Sequence, residues 1–195
     1  MAAPLATQGL ASGGLPGAWA GLPAWTVLDT DFQDGHHFLS TWLAWRHDPQ
    51  RPRLLHYVGI APATTATLSP NTPPDSEWDT LAQALAAQCT GLGPGFHRIL
   101  LDQGQISLTL CRGDMQAMLG EQVFQTDTVV GTAPLDKWAA QLLARRCKRG
   151  TRFALRSPAP AAGATAANAP LSALLQGAGF QLDHPNPAPH GVANT

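Results

Sequence analysis

Apolar and polar positions along this chain alternate between short β-rich runs and longer stripes at helical spacing. Trp25 to Leu28 is an apolar run that predicts a strand, and from Phe38 the positions Phe38, Leu39, Trp42, Leu43 and Trp45 recur with the period of a helix that buries one face. Arg53 to Ile60 predicts a second strand, followed by a Thr/Pro loop over Ala61 to Pro74 and a helix over Ser76 to Cys89. That helix has Asp75 or Ser76 as its N-cap, Glu77 and Asp79 in its first turn, and Trp78, Leu81 and Leu85 on its apolar side. His97 to Leu101 and Gln105 to Cys111 read as the two strands of a hairpin around Asp102-Gln-Gly104. A short helix is expected after Asp114, a strand over Thr126 to Val130, a helix over Leu135 to Cys147 and a strand over Thr151 to Leu155. An Ala/Pro-rich loop over Ser157 to Pro170 precedes a last short helix, Leu171 to Gln176, which leads into Phe180 to Leu182.

Strands alternating with helices over this length predict an α/β fold with a mostly parallel, doubly wound sheet. The 195 residues suit one domain over 25–182, with a flexible Gly/Ala/Pro-rich lead over 1–24 and a disordered Pro/Asn/His tail over 183–195. Within the lead, Leu15, Trp19 and Leu22 are candidate docking points. Open α/β sheets bind ligands at the carboxyl ends of their strands, so Asp29 at the end of the first strand is the leading candidate contact, with a loop-capping role as the structural alternative. Strand, tight loop and helix in succession outline a nucleotide-cofactor loop. Between Asp29 and Phe38, however, there is one glycine only, Gly35.

Charge adds little at the level of the whole chain. With 12 Lys plus Arg against 13 Asp plus Glu there is no global attraction to nucleic acid or to an acidic membrane. Six of those cations, Arg145, Arg146, Lys148, Arg149, Arg152 and Arg156, are clustered; they read as an RNA-backbone contact or, more simply, as residues complementing a helix C-terminus. Three widely spaced cysteines without a CxxC pair fit a reducing cytoplasm better than disulfides or a zinc site. No window is apolar and long enough to span a bilayer, and the N-terminal run lacks the basic start of a signal peptide.

His36 and His37 invite a metal reading, but adjacent residues diverge at a helix start and no carboxylate or cysteine stands four residues on, so a solvent-facing or capping role is expected. Trp25, Trp42 and Trp45 are expected in the core and not as a base-stacking platform. No Ser/His/Asp triad, nucleophile elbow or P-loop pattern is present.

Several segments carry a family resemblance in shared order and spacing: Leu15-Pro-Gly-Ala-Trp-Ala-Gly-Leu-Pro-Ala-Trp-Thr-Val-Leu-Asp-Thr30, Phe38-Leu-Ser-Thr-Trp-Leu-Ala-Trp45, Pro94-Gly-Phe-His-Arg98, Ser107-Leu-Thr-Leu110, Gly113-Asp114 and Gly177-Ala-Gly-Phe180. In these the chain resembles the S-adenosylmethionine-dependent methyltransferase domain of the bifunctional tRNA wobble-uridine modification enzymes, the MnmC type. The resemblance implies a class I methyltransferase fold, a Rossmann-like three-layer sandwich. It also implies S-adenosylmethionine as cofactor, held through Asp29, Thr30, Gly35 and Asp114, the last against the adenine, with tRNA and a separate oxidoreductase as partners. Asp29 and Asp114 are then expected at the carboxyl ends of neighbouring strands.

The departures fall on chemistry-bearing positions. Where the family reads T-G-F-G-x-G-x-N-F, two glycines are replaced by Asp31 and Gln33, and Asp34 adds further negative charge. The glutamate that holds the ribose hydroxyls is replaced by Ala61; Asp31, Gln33 and Ala61 are all expected on loops. The family's L-D-G-F-A-P appears as Val129-Val-Gly-Thr-Ala-Pro134, which keeps Gly131 but not the aspartate, and the loop to Trp138 is shortened. These changes imply a decayed or repurposed methyltransferase domain with weak or absent cofactor binding, or a non-catalytic binding or scaffold module that kept the fold.

Overall fold

The structure, a computed structural model, describes residues 14–64, 76–132, 137–156 and 171–180. Six strands form one sheet: β1 (Ala24–Asp29), β2 (Leu54–Ala61), β3 (Gly95–Leu101), β4 (Ile106–Arg112), β5 (Thr126–Thr132) and β6 (Cys147–Arg156). Their order is β3-β4-β2-β1-β5-β6, with β3 alone antiparallel, paired to β4. Five helices complete the α/β architecture: α1 (His36–His47), α2 (Glu77–Cys89), α3 (Met115–Glu121), α4 (Lys137–Arg146) and α5 (Leu171–Gly177).

The sheet is covered on both faces, as the apolar runs of β1, β2 and β4 require of a central parallel sheet. On one face Val27, Leu55, Tyr57 and Leu108 pack with Phe38, Trp42 and Trp45 of α1 and Leu81 and Leu85 of α2. On the other, Leu28, Val58, Ile60 and Val129 pack with Leu119 of α3 and Leu142 and Leu143 of α4. Trp25, Trp42 and Trp45 are core residues, as expected, and each indole has a partner: Thr128 Oγ1, Asp102 Oδ2 and the Pro52 carbonyl. The α2 start is a full capping box, in which Ser76 Oγ accepts from the Asp79 N–H and Asp79 accepts from the Ser76 N–H. Asp75, the other N-cap candidate, lies outside the described residues.

Several boundaries differ from expectation for local reasons. Helix α1 begins two residues early, at His36, because Gly35 adopts φ 73° and Asp34 Oδ1 accepts the His36 N–H, together turning the chain into the helix. Helix α4 ends at Arg146, and Cys147 already belongs to β6. That strand starts four residues before the expected Thr151, since Thr151 Oγ1 bonds the Lys148 and Thr126 carbonyls and holds the irregular segment against β5. The expected helix positions 135 and 136, and residues 181 and 182, lie outside the described residues. Before β1, Leu15 and Trp19 are buried and Trp19 donates to Asp48 Oδ2 at 2.6 Å, whereas Leu22 is exposed.

Candidate functional site

The site expected from the sequence lies at the carboxyl edge of the sheet, around the loop Thr30–Gly35 between β1 and α1. This loop is held to both neighbouring strands. The Thr30 N–H donates to the Val130 carbonyl of β5 and the Phe32 N–H to the Ile60 carbonyl of β2, each at 3.0 Å. Two glycines make room for it. A Cβ on Gly131 (φ 138°) would stand 2.2 Å from Thr30 Oγ1, and one on Gly59 would stand 2.3 Å from Phe32 Cδ2. Phe32 is therefore folded down over the end of β2, in edge contact with Tyr57 at 6.4 Å and tilted against Phe38 at 6.2 Å.

Asp29 is fully buried, and its carboxylate is taken up by the protein itself. Oδ1 accepts the Asp31 N–H at 2.9 Å, and Oδ2 accepts the Tyr57 hydroxyl at 2.9 Å with His37 Nδ1 3.4 Å away. Burial, followed by the Asp29 charge and the hydrogen bond to it, pushes the Tyr57 hydroxyl well above its ordinary range, so Tyr57 remains the donor. His37 is half-buried, and the early start of α1 turns its ring toward Asp29. His36 faces outward against Trp78, ring centroids 4.9 Å apart. Among the described residues no cluster of His, Cys, Asp and Glu could hold a metal ion.

Of the remaining candidates, Asp114 does lie at the carboxyl edge, but β2 separates its strand β4 from β1, so the expectation of neighbouring strands is corrected. Its carboxylate caps α3, with Oδ2 accepting the Gln116 and Ala117 N–H groups at 3.1 and 3.2 Å. Gln33 holds φ 25°, a left-handed conformation suited to glycine, and its amide bridges to Asp31 Oδ1 at 2.5 Å along the crest of the loop. Ala61 is not a loop residue. It is the buried last position of β2, and a methyl group there supplies no acceptor.

Sequence reasoning missed Tyr57, Phe32 and His37. The available signal was Tyr57, the one tyrosine of the chain, placed in an apolar strand where its hydroxyl needs a buried partner. Burial pushes the thiols of Cys89 and Cys111 up to about 11 and that of Cys147 up to about 12. The basic cluster is only in part a helix terminus. Arg145 and Arg146 close α4, and Arg146 donates to the Leu119 carbonyl at the end of α3, but Lys148, Arg149, Arg152 and Arg156 belong to β6. No helix among the described residues is long and apolar enough to cross a membrane.

No protein-family model matches the chain. It is 46% identical over 152 residues to the tRNA 5-methylaminomethyl-2-thiouridine biosynthesis bifunctional protein MnmC of Albidiferax ferrireducens, covering 71% of this chain and 25% of the relative. The protein of the same name from Thiobacillus denitrificans is 37% identical over 181 residues, covering 89% of this chain and 28% of the relative. The chain thus spans about a quarter of the length of these curated relatives. Among solved structures it is similar to MnmC2 from Aquifex aeolicus, with a TM-score of 0.51 and 13% identity, covering 71% of this chain and 44% of that one. At that identity the likeness speaks for the α/β fold alone.

Proposed function

We propose that the chain, which is similar to about a quarter of the length of the bifunctional MnmC proteins, is a methyltransferase-like protein of tRNA wobble-uridine modification whose cofactor site is altered. The observation that carries the second half of this reading is the condition of Asp29. Its two oxygens already accept from Tyr57 and Asp31, and Phe32 lies over the end of β2 beside it.

S-adenosylmethionine is the cofactor of the methyltransferase that the chain resembles, and the residues present do not fit it. A ribose diol needs a paired acceptor at the end of β2, where Ala61 has none; a buried hydroxyl left unpaired costs about 1 to 3 kcal/mol. Asp31 and Asp34 also place negative charge beside the position of the ligand's own carboxylate. No transfer step is therefore assigned to this chain. It acts in a cytoplasmic setting on tRNA, with a separate oxidoreductase as a further partner, as a module that retains the fold and not the cofactor.

Ligand-dependent melting tests the proposal. A ligand at 100 times its Kd stabilises by about 2.7 kcal/mol, so S-adenosylmethionine and S-adenosylhomocysteine at millimolar concentration should leave the melting temperature unmoved. A calorimetric Kd in the micromolar range would overturn the altered-site reading.

A further inference from the structure

The two outer edges of the sheet are built differently. Along β6 the register slips between Thr126 and Thr128 of β5, and the strand carries Lys148, Arg149 and Arg152, features that discourage a further strand from pairing there. Along β3 all seven residues run in unbroken antiparallel register with β4, and no strand among the described residues lies on its other side. The one arginine of β3, Arg98, donates from Nε to Ser107 Oγ at 3.1 Å, which draws its side chain inward over β4.

The backbone groups on the open edge of β3 follow from the neighbouring ladder. At the two ends of the β2–β4 pair the Leu55 N–H donates to the Gln105 carbonyl and the Gly113 N–H to the Ala61 carbonyl, each at 2.9 Å, so the odd-numbered residues of β4 face β2 and the even-numbered ones face β3. Ile106, Leu108, Leu110 and Arg112 stand opposite Leu101, Ile99, His97 and Gly95. The N–H and C=O groups of Phe96, Arg98 and Leu100 therefore point out of the sheet edge. Their side chains share the open face of the strand, with Phe96 38% and Leu100 61% exposed, whereas Ile99 and Leu101 are buried in the cluster that holds Leu81 and Leu85 of α2.

We propose that β3 is a homodimerisation edge, pairing antiparallel with β3 of a second copy about a two-fold axis at Arg98. The residues of the strand select this register. With the axis at Arg98, Phe96 stands opposite the partner's Leu100 and Leu100 opposite the partner's Phe96, so every outward N–H and C=O meets a strand residue and both apolar side chains gain an apolar neighbour. An axis at position 97 sets Leu100 against Pro94, which has no N–H, and an axis at position 99 sets Phe96 against Asp102, which has left the strand at φ 46°. Like charges directly opposite repel, and the bond to Ser107 holds each Arg98 away from the axis. A second copy is the fitting occupant because an identical strand reproduces these matches on both sides of the axis and closes both edges at once, leaving only the irregular, cationic β6 edges outside. The seven-residue edge is roughly 23 Å long, small beside the about 800 Å² that a standard interface buries per partner, so the pairing is reversible and follows concentration.

Sedimentation velocity of the full chain, from low micromolar to submillimolar concentration, should show the 20.5 kDa chain giving way to a species of twice that mass. Arg98→Pro removes the central outward N–H while leaving the bonds to β4 in place, and it should hold the chain monomeric throughout. Leu100→Lys should raise the dimer Kd on the order of tenfold or more, and Leu22→Lys, at an exposed apolar residue before β1, should leave it unchanged. Circular dichroism and melting establish that each variant is folded. The register is read by cross-linking: Arg98→Cys should give a disulfide-linked dimer on mild oxidation, because hydrogen-bonded antiparallel partners stand about 5.5 Å apart at Cα, and Phe96→Cys should not. A chain that stays monomeric at every concentration overturns the proposal, and so does a dimer that a folded Arg98→Pro or Leu100→Lys variant forms as readily. A dimer that Arg98→Cys does not link overturns the axis at Arg98, and species growing beyond the dimer overturn the closed two-fold contact.

Discussion

Tyr57 donates its hydroxyl to Asp29 across the β1–β2 boundary at 2.9 Å, with both side chains wholly buried. The register explains the pair: Tyr57 stands beside Val27 and Gly59 beside Asp29, so all four residues share the face covered by α1, and the tyrosine reaches diagonally to the carboxylate. Hydrogen bonds to a buried charged acceptor contribute about 1.5 to 3 kcal/mol. Tyr57→Phe should therefore lower stability by roughly 2 kcal/mol, a loss of about 4 to 8 °C in Tm for a domain of this size. Urea denaturation checks it, and an unchanged midpoint would mean that the bond contributes nothing net.

The seating of Phe32 over Gly59 yields a coupled pair. Gly59→Ala places a methyl group 2.3 Å from the Phe32 ring, so that the ring must move. The single change should destabilise by about 1 to 3 kcal/mol. In the double variant with Phe32→Ala the clash is removed, and the double-mutant cycle should show a favourable interaction of about 1 kcal/mol or more. Additive losses would mean that Phe32 does not occupy the end of β2 in solution.

Asp114 can be assigned by comparing two substitutions. As an N-cap it should lose about 1 kcal/mol on Asp114→Ala and almost nothing on Asp114→Asn, since asparagine caps as well as aspartate. Thermal melting distinguishes them. Equal losses in both would show that the charge, and not the cap, is what position 114 supplies.

Stability should fall on the alkaline side. Burial pushes Cys89 and Cys111 up to about 11 and Cys147 up to about 12, and it pushes Tyr57 well above its usual value. A raised folded-state value means that the unfolded chain loses its protons first; the stabilisation is complete below about pH 9 and is lost as pH climbs toward 11 and 12. Urea midpoints measured between about pH 8 and pH 11 should decline throughout the upper part of that range. A flat profile would show that these groups are open to solvent.

What the sequence determined by itself was decided at short range. The alternation of β-rich runs with helical stripes sets the α/β class, Ser76 with Asp79 starts α2, and Asp102-Gln-Gly104 turns β3 into β4, because periodicity, caps and turns depend on residues within a few positions of one another. The sequence also placed Asp29, Thr30, Gly35 and Asp114 at strand ends and loops on the carboxyl side of the sheet. Tertiary structure alone decided what these residues do there. Asp29 meets Tyr57 from 28 residues away only because the β1–β2 register puts them on one face, and Phe32 comes down on Gly59 only because the loop is bonded to both flanking strands. The early start of β6 was illegible for the same reason: the basic run Arg145–Arg149 is a plausible helix end by itself, and pairing with β5 converts its second half into an edge strand. Register and edge pairing are settled by burial and hydrogen bonding between distant segments, which no local pattern encodes.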